Sequence, residues 1–321
     1  MFSKFINKAV RYAIGLLSFT LALGGCQRVP DKIEPKIDYA VQDKYLLSLP
    51  SPFKHLSEQE KQEAWGKEME IGIAFAQQLD LYQAITAFKR AKILIPKSQK
   101  ERSMELDYEI LLCYYLGKKF SDVVYVFEHS ELHFADQSFP AFRDLLLVLY
   151  ESYTYLCKPE RAEQIRSLLR YYYPETEQKL AISAALIGAD IEQLEPLRVE
   201  SPSVDAILTI YDKEKKSIPK AQWLNTFLPG AGYLYLGQKQ SAFTAFTLNG
   251  LFIAATYYCF HQGNVPAGVI MASFEAGWYF GGIYGAGEEA KLYNERLYER
   301  AATPIMNREG LFPIFMLNYA F

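Results

Sequence analysis

The pattern of hydrophobic and polar positions changes several times along this chain. Residues 12–23 form a short apolar run that is too short to span a bilayer comfortably. From about residue 57, apolar residues recur with the 3.6-residue period of amphipathic helices. Residues 241–260 and 265–284 are apolar stretches of near-transmembrane length, separated by a four-residue polar loop. The pattern therefore predicts a mainly α-helical protein that ends in a hydrophobic helical hairpin.

The N-terminal apolar run has the features of an export signal. It follows Lys4, Lys8 and Arg11, with no acid among the first 11 residues, and it ends in Leu-Gly-Gly-Cys at residues 23–26. This element resembles the lipobox of bacterial lipoproteins, in which small residues let the chain enter the signal peptidase cleft. The resemblance implies a signal peptide over residues 1–25 and a lipid anchor on Cys26, where two or three acyl chains give stable attachment. The alternative is an uncleaved N-terminal helix that contains a cysteine.

The resemblance also implies a place in the bacterial cell envelope, outside the cytoplasm. In enteric bacteria an aspartate after the lipidated cysteine retains the protein at the inner membrane. Gln27 follows here, which favours the outer membrane if the source organism sorts in this way. Residues 26–56 are rich in proline and polar residues and predict a tether between the lipid and the folded part.

Residues 57–197 predict a domain of paired helices. Ser57 and Glu60 have the spacing of a capping box. Residues 65–96 resemble a tetratricopeptide repeat, in which small residues let two antiparallel helices approach and aromatic residues fill the gaps between pairs. The positions that carry the resemblance are Gly72, Phe75, Ala84, Phe88, Ala91 and Pro96.

Later copies of this pattern are degraded. Ala84, Val123 and Ala162 recur every 39 residues, which is longer than the roughly 34 of the standard repeat. The spacing predicts an α-solenoid with lengthened units, and an ordinary helical bundle is the alternative. The family resemblance implies binding of a protein partner in a concave groove. Met69 and Ile73 occupy the positions where some members bind a partner's carboxylate, so any ligand would be held by apolar contacts, although both residues have an equally good role in helix packing.

The C-terminal part predicts a second module. Residues 198–222 are polar and predict a linker, and residues 223–300 contain Pro-Gly-Ala-Gly at 229–232 followed by the apolar hairpin. This order resembles small bacterial membrane domains of unknown role. We expect residues 301–321 to form a tail or a short strand, because large apolar residues alternate up to Phe321 as in the last strand of an outer-membrane barrel.

Polar and small residues within the hairpin predict how it packs. Asn249 and Glu275 fall at similar depth on opposite helices and predict a mutual hydrogen bond. Gly277, Gly281 and Gly285 form a small-residue stripe that allows another helix to come close. A membrane hairpin explains the length and the glycines, whereas a soluble hairpin explains the polar residues equally well. We favour membrane association.

Composition and motifs exclude several function classes. The formal net charge is −3 with acids and bases interspersed, so nothing favours nucleic-acid binding. No catalytic constellation, phosphate loop, cofactor motif or metal-ligand spacing is present, and the pair His129 and His133 fits a solvated helix face. Cys113 and Cys157 are expected to be buried free thiols. The sequence predicts a non-enzymatic envelope scaffold that binds a protein partner; the alternative is a membrane component for transport or protein insertion that acts through Glu275.

Overall fold

The computed structural model describes residues 29–38 and 43–321. The signal peptide and Cys26 lie outside the described residues. The described part is mainly helical, with no β-strand in it. The helices, in chain order, are α1 (Asp43–Leu46), α2 (Glu58–Gln62), α3 (Ala64–Ala76), α4 (Leu81–Leu94), α5 (Lys100–Leu116), α6 (Phe120–Glu128), α7 (Phe142–Tyr155), α8 (Pro159–Tyr172), α9 (Pro174–Ile187), α10 (Ile191–Leu197), α11 (Pro202–Glu214), α12 (Ile218–Phe227), α13 (Ala231–Tyr235), α14 (Lys239–His261) and α15 (Val265–Arg308).

The chain divides into two compact units. The first, here called the helical-pair unit, contains residues 38–186, 192–197 and 303–321. The second, here called the hairpin unit, contains residues 187–191 and 198–302 together with the described residues 29–37. The chain returns to the helical-pair unit at its end, over residues 303–321.

Two segments that the sequence predicts as connectors are instead folded into these units. In the expected tether, Val29 and Ile33 are buried, and the amide of Glu34 donates to the Glu295 carboxylate at 2.9 Å. The expected linker forms α11 and the start of α12, with Val204 buried against its own unit. Most polar residues of the two segments lie on their exposed faces, and a few buried apolar residues pack the segments into the fold.

The helical pairs share one turn, which repeats with the 39-residue spacing seen in the sequence. Leu79, Lys118 and Cys157 each adopt a left-handed backbone conformation, with φ between 54° and 58°, two residues before the second helix of a pair. In each turn two backbone amides bond back to carbonyls of the first helix, as in a Schellman-type helix end. The turns of α3–α4, α5–α6 and α7–α8 are therefore the same structural unit.

Burial differs between the two helices in the α5–α6 and α7–α8 pairs. The second helices bury one face only, as Ala84, Phe88 and Ala91 do in α4. In contrast, α5 is buried continuously from Glu105 to Cys113, and α7 is buried from Asp144 to Leu149. Helices α5 and α7 are therefore covered on both sides, and residues 43–56 and 309–321 of the same unit provide contacts on the second side.

The turn conformation explains one wrong prediction. Cys113 lies in α5 and is buried as expected, but Cys157 is exposed because it occupies the left-handed turn position between α7 and α8. Glycine favours this conformation, whereas a side chain with a Cβ is strained there by about 1–2 kcal/mol. The apolar pattern around Cys157 therefore indicated a helix where the chain turns.

We expect the substitution Cys157→Gly to stabilise the protein by up to about 1 kcal/mol, because glycine relieves the backbone strain. Chemical unfolding in detergent measures this difference in the free energy of unfolding. The matched control is Thr154→Gly, an exposed position inside α7, which should destabilise by about 0.5–1 kcal/mol. A Cys157→Gly protein that is less stable than wild type would contradict the assigned turn.

Candidate functional site: an uncovered hairpin and a filled groove

The two hydrophobic helices form an antiparallel hairpin. Gln262, Gly263 and Asn264 connect α14 to α15, and the rings of Phe252 and Phe274 stack with centroids 6.3 Å apart. Within α14 only Ala242 and Asn249 are buried. The two helices therefore contact each other, but most of the hairpin surface is exposed.

Large apolar side chains cover the exposed surface of the hairpin. Tyr257 is 71% exposed and Phe274 is 61% exposed, values typical of polar surface residues. Twelve such side chains are exposed between residues 243 and 284: Phe243, Phe246, Leu251, Ile253, Tyr257, Tyr258, Phe260, Val269, Ile270, Phe274, Trp278 and Tyr284. An apolar surface of this extent marks a place where another apolar phase or molecule binds.

One described helix, α14, is long and apolar enough to cross a membrane. Its most apolar 18 residues have a mean hydropathy of 1.3, and 6% of them are buried. A core helix of a soluble protein passes the same test of length and composition but is mostly buried. The exposure of α14 therefore distinguishes it from a core helix.

The polar residues of the hairpin do not pair as the sequence predicts. The Asn249 side-chain amide donates to the carbonyl of Ala245, one turn earlier, at 2.6 Å. The Oδ1 atom of Asn249, the Oγ1 atom of Thr256 and the Oε2 atom of Glu275 are buried without a hydrogen-bond partner in the described structure. The expected Asn249–Glu275 bond is not formed, and the Asn249 amide bonds within its own helix instead.

The glycine stripe also differs from the expectation. A Cβ built at Gly277 or Gly281 would meet no described part of the chain within 4 Å beyond its own helix. Gly285 is different, since a Cβ there would lie 2.5 Å from the Tyr233 hydroxyl. The three glycines therefore do not form a seam between α14 and α15.

The close approach of helices occurs instead at the Pro-Gly-Ala-Gly element. Gly230 has φ of +95°, and its amide donates to Asn225 Oδ1 at 2.8 Å. A Cβ on Gly232 would overlap the Ala221 carbonyl and lie 2.8 Å from the Cβ of Ala286. These small residues place α12 and α13 directly against α15, which fixes the base of the hairpin.

Helix α15 passes through two environments. Up to about Gly285 its large apolar side chains are exposed, whereas beyond this point it is packed in the hairpin unit. The Tyr211 and Tyr298 rings meet edge to face at 5.7 Å, and Asn294 exchanges two hydrogen bonds, of 2.7 and 2.8 Å, with the backbone of Lys216. The helix continues to Arg308, beyond residue 302, where the hairpin unit ends.

The repeat-packing residues lie together in the helical-pair unit. Ala84, Phe88 and Ala91 are fully buried in one core with Trp65 and Met69, and Ile73 and Phe75 pack against it. A Cβ on Gly72 would lie 2.5 Å from the Phe88 ring, so this glycine is where α3 and α4 approach most closely. Pro96 follows the end of α4.

The inner side of this unit holds the chain's own residues 309–321. The buried carboxylate of Asp144 accepts hydrogen bonds from the amides of Asn318 and Tyr319, at 2.8 and 3.0 Å. The Tyr45 hydroxyl lies 2.9 and 3.2 Å from the carbonyls of Phe315 and Leu317. The segment forms a short 3₁₀ helix at Pro313–Met316 and is otherwise irregular, so of the two predicted forms, a tail or a short strand, the strand is not formed.

The helical-pair unit contains several buried acids, of which Asp144 contacts residues 309–321. Burial raises the pKa of Glu105 to about 7 although Arg102 donates to it at 2.7 Å. Burial also raises the pKa of Asp144 and, well above its usual range, that of Glu109. Glu60, which shares Arg102, has its pKa lowered to about 2, mainly by that hydrogen bond. Arg102 further donates to the carbonyls of residues 54 and 55 and so holds the segment before α2 against α5.

Glu105 should make the protein less stable as the pH rises. Its pKa is about 7 in the folded chain and 4.5 when unperturbed, so between these values the unfolded chain releases a proton that the folded chain keeps. This contribution is fully present below pH 4.5 and is lost as the pH rises through 7. From pH 5 to pH 8, wild type should lose on the order of 2 kcal/mol of unfolding free energy relative to Glu105→Gln.

Chemical unfolding of both proteins at the two pH values measures this loss. Glu101→Gln, an exposed position on the same helix, is the matched control and should retain the wild-type pH dependence. Identical pH profiles for wild type and Glu105→Gln would show that this carboxyl titrates normally.

No group of three or more potential metal-binding side chains occurs among the described residues. The ring nitrogens of His129 and His133 contact the carbonyls of Tyr125 and Ser130. No known protein family matches the chain, and neither a curated protein nor a solved structure is detectably similar to it.

Proposed function

We propose that this protein is a membrane-bound scaffold of the bacterial cell envelope, in which the hairpin enters a lipid bilayer and the helical-pair unit binds a protein partner. The observation that carries the proposal is the exposure of twelve large apolar side chains on α14 and the first half of α15. A bilayer covers such a surface on all sides at once, which a single protein partner does not.

The dimensions of the hairpin support this proposal. The 23 residues of α14 correspond to about 34 Å, close to the roughly 30 Å hydrocarbon thickness of a bilayer. Trp223 and Phe227 stack on each other in the open on α12, which packs beside α15 at the base of the hairpin. Aromatic side chains of this kind favour the interface between lipid and water.

The lipobox-like sequence supports a second attachment through Cys26. Acylation there would hold the protein to the membrane even without the hairpin, and two attachments together make release slow. The helical-pair unit supports the scaffold role because its repeated turn and stacked pairs are the architecture that repeat proteins use for partner binding.

A second function, as a component of a transport or protein-insertion system, is favoured by the polar atoms of the hairpin. Unpartnered oxygens of Asn249, Thr256 and Glu275 within an apolar hairpin are costly, and such residues in membranes commonly serve function. Loss of activity in a Glu275→Gln protein that remains abundant would favour this second function over the scaffold.

We expect the hairpin to bind membranes without the lipid on Cys26. A Cys26→Ser protein should still float with liposomes, whereas adding Phe246→Lys and Phe274→Lys should release at least about nine-tenths of it, because each lysine costs about 2.5–3.5 kcal/mol within the bilayer. Tyr82→Lys, at an exposed apolar position of the helical-pair unit, is the matched control and should float normally.

Labelling with a radioactive fatty acid completes this test. Wild type should be labelled and Cys26→Ser should not. If Cys26→Ser does not float, the hairpin is not a membrane anchor, and if it remains labelled, the lipid is not on this cysteine.

A further inference from the structure

Backbone and side-chain contacts together hold residues 312–321 in the groove, where Phe312, Ile314 and Leu317 are buried. Asp144 binds two amides, Tyr45 contacts two carbonyls, and the Ala320 amide donates to the Pro50 carbonyl at 3.0 Å. Backbone recognition does not require a particular side chain at each position. The groove can therefore accept other segments along the same path if they present apolar side chains where Phe312, Ile314 and Leu317 are buried.

Asp144 is the centre of this recognition. It is fully buried, and its second oxygen accepts from Arg143 at 2.7 Å, while Arg143 also bonds Thr176 at 3.0 Å. A buried carboxylate that lost both amide donors would carry the cost of unsatisfied hydrogen bonding. The groove is therefore stable only when a segment with free backbone amides lies in it.

The segment itself is chemically uniform. Residues 310–321 contain no charged side chain, and Phe312 and Ile314 are buried while Phe315 packs edge to face on Tyr45 at 5.3 Å. Phe321 packs against the core of the helical pairs and lines a cavity of about 380 Å³ with Leu46, Leu47, Leu49, Gln77 and Leu79. An open cavity therefore lies beside Phe321 at the end of the segment.

We propose that residues 312–321 are an internal ligand that occupies the partner-binding groove of the helical-pair unit, and that the partner is an extended, uncharged, aromatic-rich peptide that displaces them. This inference deepens the proposed scaffold function by naming the site and the class of partner. The segment blocks the groove until a competing peptide satisfies Asp144 and Tyr45 in its place.

Hydrogen exchange of the full wild-type chain in detergent tests whether the segment can leave. The amides of Asn318 and Tyr319 should be protected relative to a free peptide, yet exchange at least about tenfold faster than the amide of Leu111 in α5, because the segment opens without global unfolding. Exchange at the same rate as Leu111 would show that the segment is a fixed part of the fold. Exchange at the rate of a free peptide would show that it does not occupy the groove.

Peptide binding tests whether the groove accepts a ligand in trans. Asn318→Pro with Tyr319→Pro removes the two amide donors but keeps Asp144 and Tyr45, so a fluorescent peptide of residues 309–321 should bind this variant about tenfold or more tighter than wild type. Asn318→Ala with Tyr319→Ala keeps both amides and should bind as weakly as wild type. Adding Tyr45→Phe to the proline variant should weaken peptide binding several-fold.

Two results of this experiment would overturn the proposal. One is a folded proline variant that binds the peptide no better than wild type. The other is a proline variant that loses its helical circular dichroism, since the segment would then be needed for folding. Neither result depends on a membrane, so both are distinct from failure of the liposome test.

Discussion

The apolar side chains of α14 and the first half of α15 are exposed and need another apolar phase or surface to remove them from water. The function of the protein depends on what this phase or surface is. Burying one large apolar side chain contributes about 1.5–3 kcal/mol, so removing the exposed parts of twelve from water contributes on the order of 10–20 kcal/mol. This exceeds the total stability of many single domains. Along α15 the exposed apolar surface ends near Gly285. From there to residue 302 the side chains of the helix pack within the hairpin unit.

A comparable constraint shapes the helical-pair unit. Helices α5 and α7 carry acids on sides that would normally face water, and they are buried by segments from both ends of the unit. Asp144 is satisfied by backbone amides and Glu105 by Arg102, whereas Glu109 Oε2 has no partner among the described residues. If a segment in the groove left these buried polar groups without hydrogen bonds, the folded state would be destabilised. Such selectivity is expected of a binding site more than of an apolar core.

The sequence pattern predicted the helices and the packing residues of the first pair. Small residues at Gly72 and Ala84 and a large ring at Phe88 are typical of two helices in close contact, and the structure has these residues at that contact. It also gave the 39-residue spacing that the structure shows in its turns. It missed the left-handed turns themselves, since Leu79, Lys118 and Cys157 lack the glycine that usually marks them. The path of residues 309–321 depends on contacts with Asp144 and Tyr45, which are far away in sequence, and no local pattern encodes such contacts.

The hairpin shows a similar division between local and tertiary information. Its length and apolar character follow from local sequence, whereas the partners of Asn249 and Gly285 depend on which neighbour comes closest in three dimensions. Depth-dependent accessibility of spin labels placed along α14 in liposomes tests the central claim most directly. The ratio of oxygen to nickel-reagent accessibility should rise from Phe243 to a maximum near Leu251 and fall again by Phe260. A uniformly low ratio along the helix would show that the hairpin lies in water and that another protein surface covers it.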